Sequence, residues 1–310
     1  MIVDLATRIW NSLDDLGPEV ASAARRRTAG PWDPVAADFD RHEQAIAPLT
    51  AAAVHGLHSE LLGAHIDDAT VASLVARDPK RLIGFAGVDP GTEAVARDPV
   101  ARLQAARDAG LAGLTVCPAA SGFHPASTDA MALFEAAAEA CMPVYVETGA
   151  RLAQAARMEF SQPFLLDEVA RSIPTLKLVI GGLGEPWFDQ AVALLSKHPN
   201  VYADTSGLTQ RPWQLYNALL TVHQAGLLGQ VLFGSGFPFA TPEQAIIGLY
   251  SVNGQFQGMP GMPREAVRGI IERDSFKVLN LPAPLVEPAE DAKSSSGFER
   301  VVLSEGGTGA

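Results

Sequence analysis

Short apolar runs and alanine-rich helical stretches alternate along nearly the whole chain, and that alternation restricts it to a parallel α/β architecture. Strand-like runs cover 2–6, 51–55, 82–88, 113–117, 143–148, 177–181, 201–204 and 231–234. Helical patterns cover 35–47, 68–77, 98–109, 128–141, 161–172, 187–197, 212–225 and 242–251. Each strand-like run is brief and mostly apolar, as a parallel strand covered on both faces requires. In 128–141, Met131, Leu133, Phe134, Ala137, Ala138 and Cys141 recur at helical spacing, with Thr128 and Asp129 as candidate caps. Eight strand–helix units predict one (β/α)8 TIM barrel over residues 1–282. An open, doubly wound sheet is the rival, because alternation does not show closure. Gly181-Gly182-Leu183-Gly184 lacks GxGxxG spacing and comes after the sixth run, so dinucleotide binding has little support.

Two segments fall outside the repeat. Residues 11–34, with Pro18, Gly30, Pro31 and Trp32, read as an irregular insertion after the first strand, placed to overhang the barrel mouth. Residues 263–278 add one or two helices that close the outer ring. From 283 to 310 the composition becomes that of a flexible, disordered tail, with Ser294-Ser295-Ser296 and Gly306-Gly307-Thr308-Gly309. The apolar patch from Phe298 to Leu303 inside it is a candidate docking segment.

Charge and cysteines narrow the functional class. Thirty-five acidic against 23 basic residues give a net charge of −12, which argues against nucleic acid and anionic membranes as partners. The one basic run, Arg25-Arg26-Arg27, reads as a solvated face. No apolar stretch approaches the ~18 residues of a membrane span. Met1-Ile2-Val3-Asp4 lacks the basic and apolar regions of a secretory signal. Cys117 and Cys141 lack Cys-x-x-Cys spacing, and two buried thiols in a reducing cytoplasm are expected.

Three segments carry a family likeness: Arg81-Leu82-Ile83-Gly84-Phe85-Ala86-Gly87-Val88-Asp89-Pro90, Pro199 to Gly207, and Phe233-Gly234-Ser235-Gly236-Phe237-Pro238. Together, in this order, they make the chain resemble the amidohydrolase-related superfamily over roughly residues 1–282. The likeness is to the branch that includes aminocarboxymuconate semialdehyde decarboxylase, related aromatic-acid decarboxylases and lactone hydrolases. The resemblance implies a metal held at the C-terminal ends of the strands. In the family the first strand ends in Asp-x-His-x-His; here the histidine positions are Ala6 and Arg8. The fifth strand's His-Thr-Gly is Glu147-Thr148-Gly149, the sixth strand's Gly-His-x-Gly has Gly182, and the eighth strand's Phe-Gly-Ser-Asp has Gly236.

A catalytic metal needs about three or four N, O or S donors within about 2.0–2.3 Å, where it acidifies bound water and polarises a carbonyl. Ala6, Gly182 and Gly236 supply none, Glu147 is a single carboxylate, and Arg8 brings a fixed positive charge. No cofactor is therefore expected. A carbamylated lysine is not expected either, since Lys80, Lys177, Lys197, Lys277 and Lys293 all miss the strand C-termini.

Arg8 and Glu147 are expected to face one another in the mouth. They read either as an anion-gripping pair, with Glu147 orienting the ligand or acting as base, or as a structural ion pair filling the metal's space. His124 is a candidate pocket residue in the loop after the fourth strand. His55, His58 and His65, with Glu60 nearby, are weighed as a relocated metal site and favoured in core or solvent roles. Cys117 reads as a packing thiol, since a nucleophile needs an adjacent base and a lowered pKa. Asp4, Asp204, Thr205, Ser206 and Ser235 read as structural hydrogen-bonding residues, and no Gly-x-Ser-x-Gly elbow supports a serine hydrolase.

Three readings of function follow. The first and preferred one is a non-catalytic barrel that binds a small anion, forms a homo-oligomer or pairs with an active homologue. The second is a metal-independent hydrolase or decarboxylase of an organic acid, using Arg8, Glu147 and His124. The third is a scaffold whose tail recruits a partner.

Overall fold

A computed structural model describes residues 1–27, 37–148, 153–256 and 258–282. Eight parallel strands form the main sheet: β1 (Val3–Thr7), β2 (Ala51–His55), β5 (Leu82–Gly87), β6 (Gly113–Val116), β7 (Val144–Val146), β8 (Leu178–Ile180), β9 (Val201–Asp204) and β10 (Val231–Leu232). A two-stranded antiparallel hairpin, β3 (Leu57–Ser59) and β4 (Ala64–Ile66), follows β2 directly. Neighbours in space are neighbours in sequence throughout the main sheet, with helices as crossovers. The seam between β1 and β10 is drawn together by strand-end hydrogen bonds. Leu5 N donates to Phe233 O and Gly236 N to Ala6 O, both at 3.0 Å, and Thr7 bridges Phe237 in parallel. The expected TIM barrel is the fold observed.

Alternation along the strands builds two apolar layers. Val3, Leu5, Ala51, Ala53, Ile83 and Phe85 belong to one cluster with Tyr145, Val179 and Leu232, which fills the barrel. The intervening residues, such as Ala52, Val54, Leu82, Val144 and Ile180, belong to a second and larger cluster with the helices. Such double-sided burial explains why the strand sequences are almost wholly apolar.

Most helices lie where their periodicity places them, among them Asp68–Val75, Phe188–Lys197, Pro212–Gln224 and Pro242–Ser251. Helix Thr128–Glu139 buries Leu133, Phe134 and Ala137, but its cap is Ser127, whose hydroxyl accepts from Ala130 N. Cys141 lies beyond that helix with φ +55° and is exposed, so only Cys117 is a buried thiol. The helix expected over 161–172 begins as two 3-10 turns, Met158–Ser161 and Pro163–Leu166, and becomes α-helical only over Asp167–Ser172. Pro163 lacks the N–H that a longer helix would use there. Residues 263–278 supply two helices, Arg264–Ile271 and Ser275–Leu279.

The stretch read as irregular is instead ordered in its first half: a 3-10 turn at Leu13–Leu16 leads into helix Gly17–Arg27. Leu13, Leu16, Val20 and Ala21 are buried on it, an apolar face that loop-like flanking residues masked. Arg25 is exposed. Residues 28–34 of that stretch, the 283–310 tail and the Phe298–Leu303 patch lie outside the described residues.

Candidate functional site

The strand C-termini open onto a cavity of about 510 Å³. Ala6, Arg8, Glu147, Gly182 and Gly236, singled out along the sequence, all line it. Ala23 of helix Gly17–Arg27 also lines it, so the insertion after β1 does overhang the mouth.

Arg8 and Glu147 meet across the opening. Arg8 Nη2 donates to Glu147 Oε1 at 2.6 Å and to Gly56 O at 3.2 Å, while Nε donates to His55 O at 3.4 Å. Their side chains are only 14% and 19% exposed, so the pair works in a medium less screening than bulk water. The guanidinium is thus anchored on two backbone carbonyls. Among the described residues, Arg8 Nη1 and Glu147 Oε2 have no hydrogen-bond partner, and neither atom is sealed from solvent. Both residues line the cavity, and each keeps one unpartnered atom with some solvent contact.

Two neutral side chains, His55 and Tyr145, stand on the same cavity lining. His55 accepts from Thr115 Oγ1 through Nδ1 at 2.6 Å and donates from Nε2 to Leu5 O at 2.7 Å. Burial, with Arg8 adding repulsion, pushes its pKa down to about 4. With both nitrogens engaged and its ring packed on Phe85 and Tyr145, His55 has no lone pair for a metal. Tyr145 donates its hydroxyl to Asp204 Oδ2 at 2.7 Å, and burial holds its pKa well above the ordinary tyrosine value.

Asp204 ties three strand ends together. Its Oδ1 accepts from Gly182 N, Ser206 N and Ser206 Oγ at 2.8, 2.9 and 2.6 Å. Burial raises its pKa, and these hydrogen bonds oppose that shift. Asp4 does the same for the β1–β10 seam: Oδ1 accepts from Ala6 N and Ser235 N. Its Oδ2 is buried without a partner, and desolvation raises its pKa to about 7.

Gly182 and Gly236 sit at φ +57° and +77°. A Cβ on Gly182 would come within 2.9 Å of Ser206 O, and one on Gly236 within 2.8 Å of Gly207 N. Backbone therefore occupies the space through which a side chain would leave either position. No group of three or more His, Cys, Asp or Glu side chains is placed to hold a metal ion among the described residues.

A second ion pair escaped sequence reading. Arg211 makes a bidentate contact to the Glu185 carboxylate, and its Nη2 also donates to Gly207 O at 2.9 Å. Both residues line the cavity. Their only signal was position: Glu185 follows the glycine turn after β8, and Arg211 precedes the proline that starts helix Pro212–Gln224. An apolar part of the lining is formed by Trp10, Phe237, Pro238 and Phe239.

Other candidates lie elsewhere. His124 is exposed, accepts from Ala126 N at 3.0 Å and packs edge-on to Phe160; the cavity lining does not include it. His58 and His65 face each other across the β3–β4 hairpin, ring centroids 4.8 Å apart, and Glu60 uses its backbone N–H on Asp89. Cys117 is buried, and desolvation pushes its thiol up to about 12. No helix among the described residues is long and apolar enough to cross a membrane.

A sequence model of the family described as Amidohydrolase matches residues 6–256. The fold is also shared with solved structures. An uncharacterised TIM-barrel protein from Bordetella bronchiseptica matches at 18% identity and TM-score 0.68, covering 90% of this chain and 98% of that one. A probable 2-pyrone-4,6-dicarboxylic acid hydrolase from Acinetobacter baumannii, with citric acid bound, matches at 14% identity and TM-score 0.61, covering 90% and 99%. A 5-carboxyvanillate decarboxylase from Sphingomonas paucimobilis matches at 12% identity and TM-score 0.62, covering 91% and 99%. No curated protein sequence matches the chain.

Proposed function

We propose, from the premise that this chain belongs to the Amidohydrolase family, that its mouth binds a small organic acid through Arg8 without a resident metal ion. One observation carries the reading: Arg8 lines a cavity of about 510 Å³, and its Nη1 is unpartnered among the described residues. A guanidinium pre-set on backbone carbonyls loses little freedom when it takes a carboxylate.

The residues at the inherited metal positions do not fit a catalytic ion. Ala6, Gly182 and Gly236 offer no donor atom, and the two glycines meet backbone where a longer side chain would leave. His55, the imidazole on the cavity lining among the described residues, has both nitrogens engaged. Arg8 adds a cation that opposes a second one. In this reading the barrel is retained while the inherited water-activating chemistry is lost, and binding is its function. That carboxylate-bearing compounds are named for structures of the same fold, the citric acid in the Acinetobacter protein among them, supports an acid as ligand.

A second reading, metal-independent hydrolysis or decarboxylation, is favoured by one specific feature. Among the described residues, Glu147 Oε2 is an unpartnered carboxylate oxygen on the cavity lining beside Arg8, within reach of a ligand held there for general-base work. The partner-subunit and tail-scaffold readings have no observation among the described residues in their favour.

Thermal shift against small carboxylic, hydroxy and amino acids in the presence of a chelator tests the proposal. At about a hundredfold excess over Kd, a ligand adds about 2.7 kcal/mol, or roughly 5 °C in Tm for a domain of this size. That shift is expected in the wild type and lost in Arg8→Ala. A shift that appears only after zinc or manganese is added contradicts it. For the catalytic reading, Glu147→Gln is expected to abolish turnover while binding persists.

A further inference from the structure

We infer that the ligand of the mouth carries an ammonium group beside its carboxylate, making it a small amino-acid zwitterion with an apolar or aromatic side chain. The inference rests on the acid-binding reading above and goes further by fixing the ligand's charge pattern.

Charge balance is the first argument. Among the described residues, the charged side chains lining the cavity are Arg8, Glu147, Glu185 and Arg211, two cations and two carboxylates that include the pairs Arg8–Glu147 and Arg211–Glu185. The remaining titratable groups on the lining, His55 and Tyr145, are neutral near pH 7, since burial lowers the first and raises the second. A bare carboxylate would therefore enter a site whose described residues carry no surplus positive charge, and it would compete with Glu147 for the Arg8 guanidinium. A ligand that brings one charge of each sign leaves the balance intact, and complementary groups gain most where water is partly excluded.

Donor and acceptor geometry is the second. Arg8 Nη2 and Glu147 Oε1 are 2.6 Å apart and hold the pair together. The unpartnered atoms, Nη1 with its two N–H groups and Oε2 with its lone pairs, lie on the same paired unit. Such a unit keeps one unpartnered donor and one unpartnered acceptor. Carboxylate on Nη1 and ammonium on Oε2 extend the ion pair into a four-charge ring without breaking it.

The third argument concerns the rest of the ligand. Trp10, Phe237 and Phe239 form an apolar wall of the same cavity, with Trp10 and Phe239 rings 6.1 Å apart. Trp10 is 3% exposed, and its indole Nε1 is buried without a partner among the described residues. An apolar or aromatic side chain suits that wall, and the cavity volume accommodates one.

Isothermal titration of the full chain with phenylalanine, 3-phenylpropionate and phenethylamine near neutral pH decides the matter, because the three differ only in which charge is present. Phenylalanine is expected to bind at least about tenfold more tightly than either analogue. Glu147→Gln, which keeps an acceptor but removes the charge, is expected to invert the order and favour 3-phenylpropionate. Wild-type protein that binds 3-phenylpropionate as tightly as phenylalanine overturns the zwitterion while leaving acid binding intact. Phenethylamine binding most tightly, or no heat from any of the three, overturns the inference, while acid binding at Arg8 stands or falls by the thermal-shift series and its loss in Arg8→Ala.

Discussion

At the residue scale, the two ends of the β1 sequence carry opposite physics: Asp4 is sealed inside the seam, while Arg8 faces the mouth. Burial raises the Asp4 pKa to about 7, so the folded state favours its neutral form. The stability this contributes is complete below pH 3.8 and is lost as pH rises through about 7. A shift of this size has an upper limit of about 4 kcal/mol. Asp4→Asn is therefore expected to gain stability relative to wild type as pH climbs through that window, measured as the difference between two urea-denaturation series. A pH-independent difference contradicts it. His42 and His55 act in the opposite sense, since burial lowers their pKa values to about 3 and about 4. Their contribution is present above pH 6.5 and lost as pH falls through those values, which is why the difference between variants and not the wild-type curve is the readout. The cysteines give a second test. A thiol reagent should label Cys141 rapidly and Cys117 only in denaturant, since burial keeps Cys117 protonated and covered. Equal native reactivity contradicts the packing.

At the element scale, the loops after β8 and β10 decide what the mouth can hold. Gly182 combines a left-handed backbone with a Cβ position 2.9 Å from Ser206 O, so Gly182→Ala is expected to cost about 1–3 kcal/mol in urea denaturation. Tyr145→Phe leaves buried Asp204 Oδ2 without its donor and should cost a similar amount, about 1–3 kcal/mol. A cost near zero in either variant would mean the strand ends relax freely. These elements differ in how much of them the sequence exposed. Long periodic helices such as Phe188–Lys197 were legible because one buried face repeats over several turns. Hairpin β3–β4 was not, since each of its strands has only 3 residues and alternation over so short a span carries little signal. Helix Gly17–Arg27 was hidden because Pro18, close to a glycine, reads as a loop although proline is also at home in a helix's first turn.

At the scale of the whole molecule, the barrel was legible because each strand–helix unit repeats one hydrophobic logic and short connections leave few ways to close it. Half of the candidate site was legible with it. Arg8 and Glu147 lie at strand C-termini, which topology alone brings to one face, and they meet at 2.6 Å. Arg211 and Glu185 were not, because loop residues reach the mouth by turns that no periodicity announces. In the proposed reading a guanidinium, and not a metal ion, supplies the positive charge that meets the ligand in this mouth. Elemental analysis after incubation with zinc or manganese and desalting tests it most directly. Far less than one ion per chain is predicted, unchanged in Glu147→Gln; one ion per chain, lost in that variant, would contradict it.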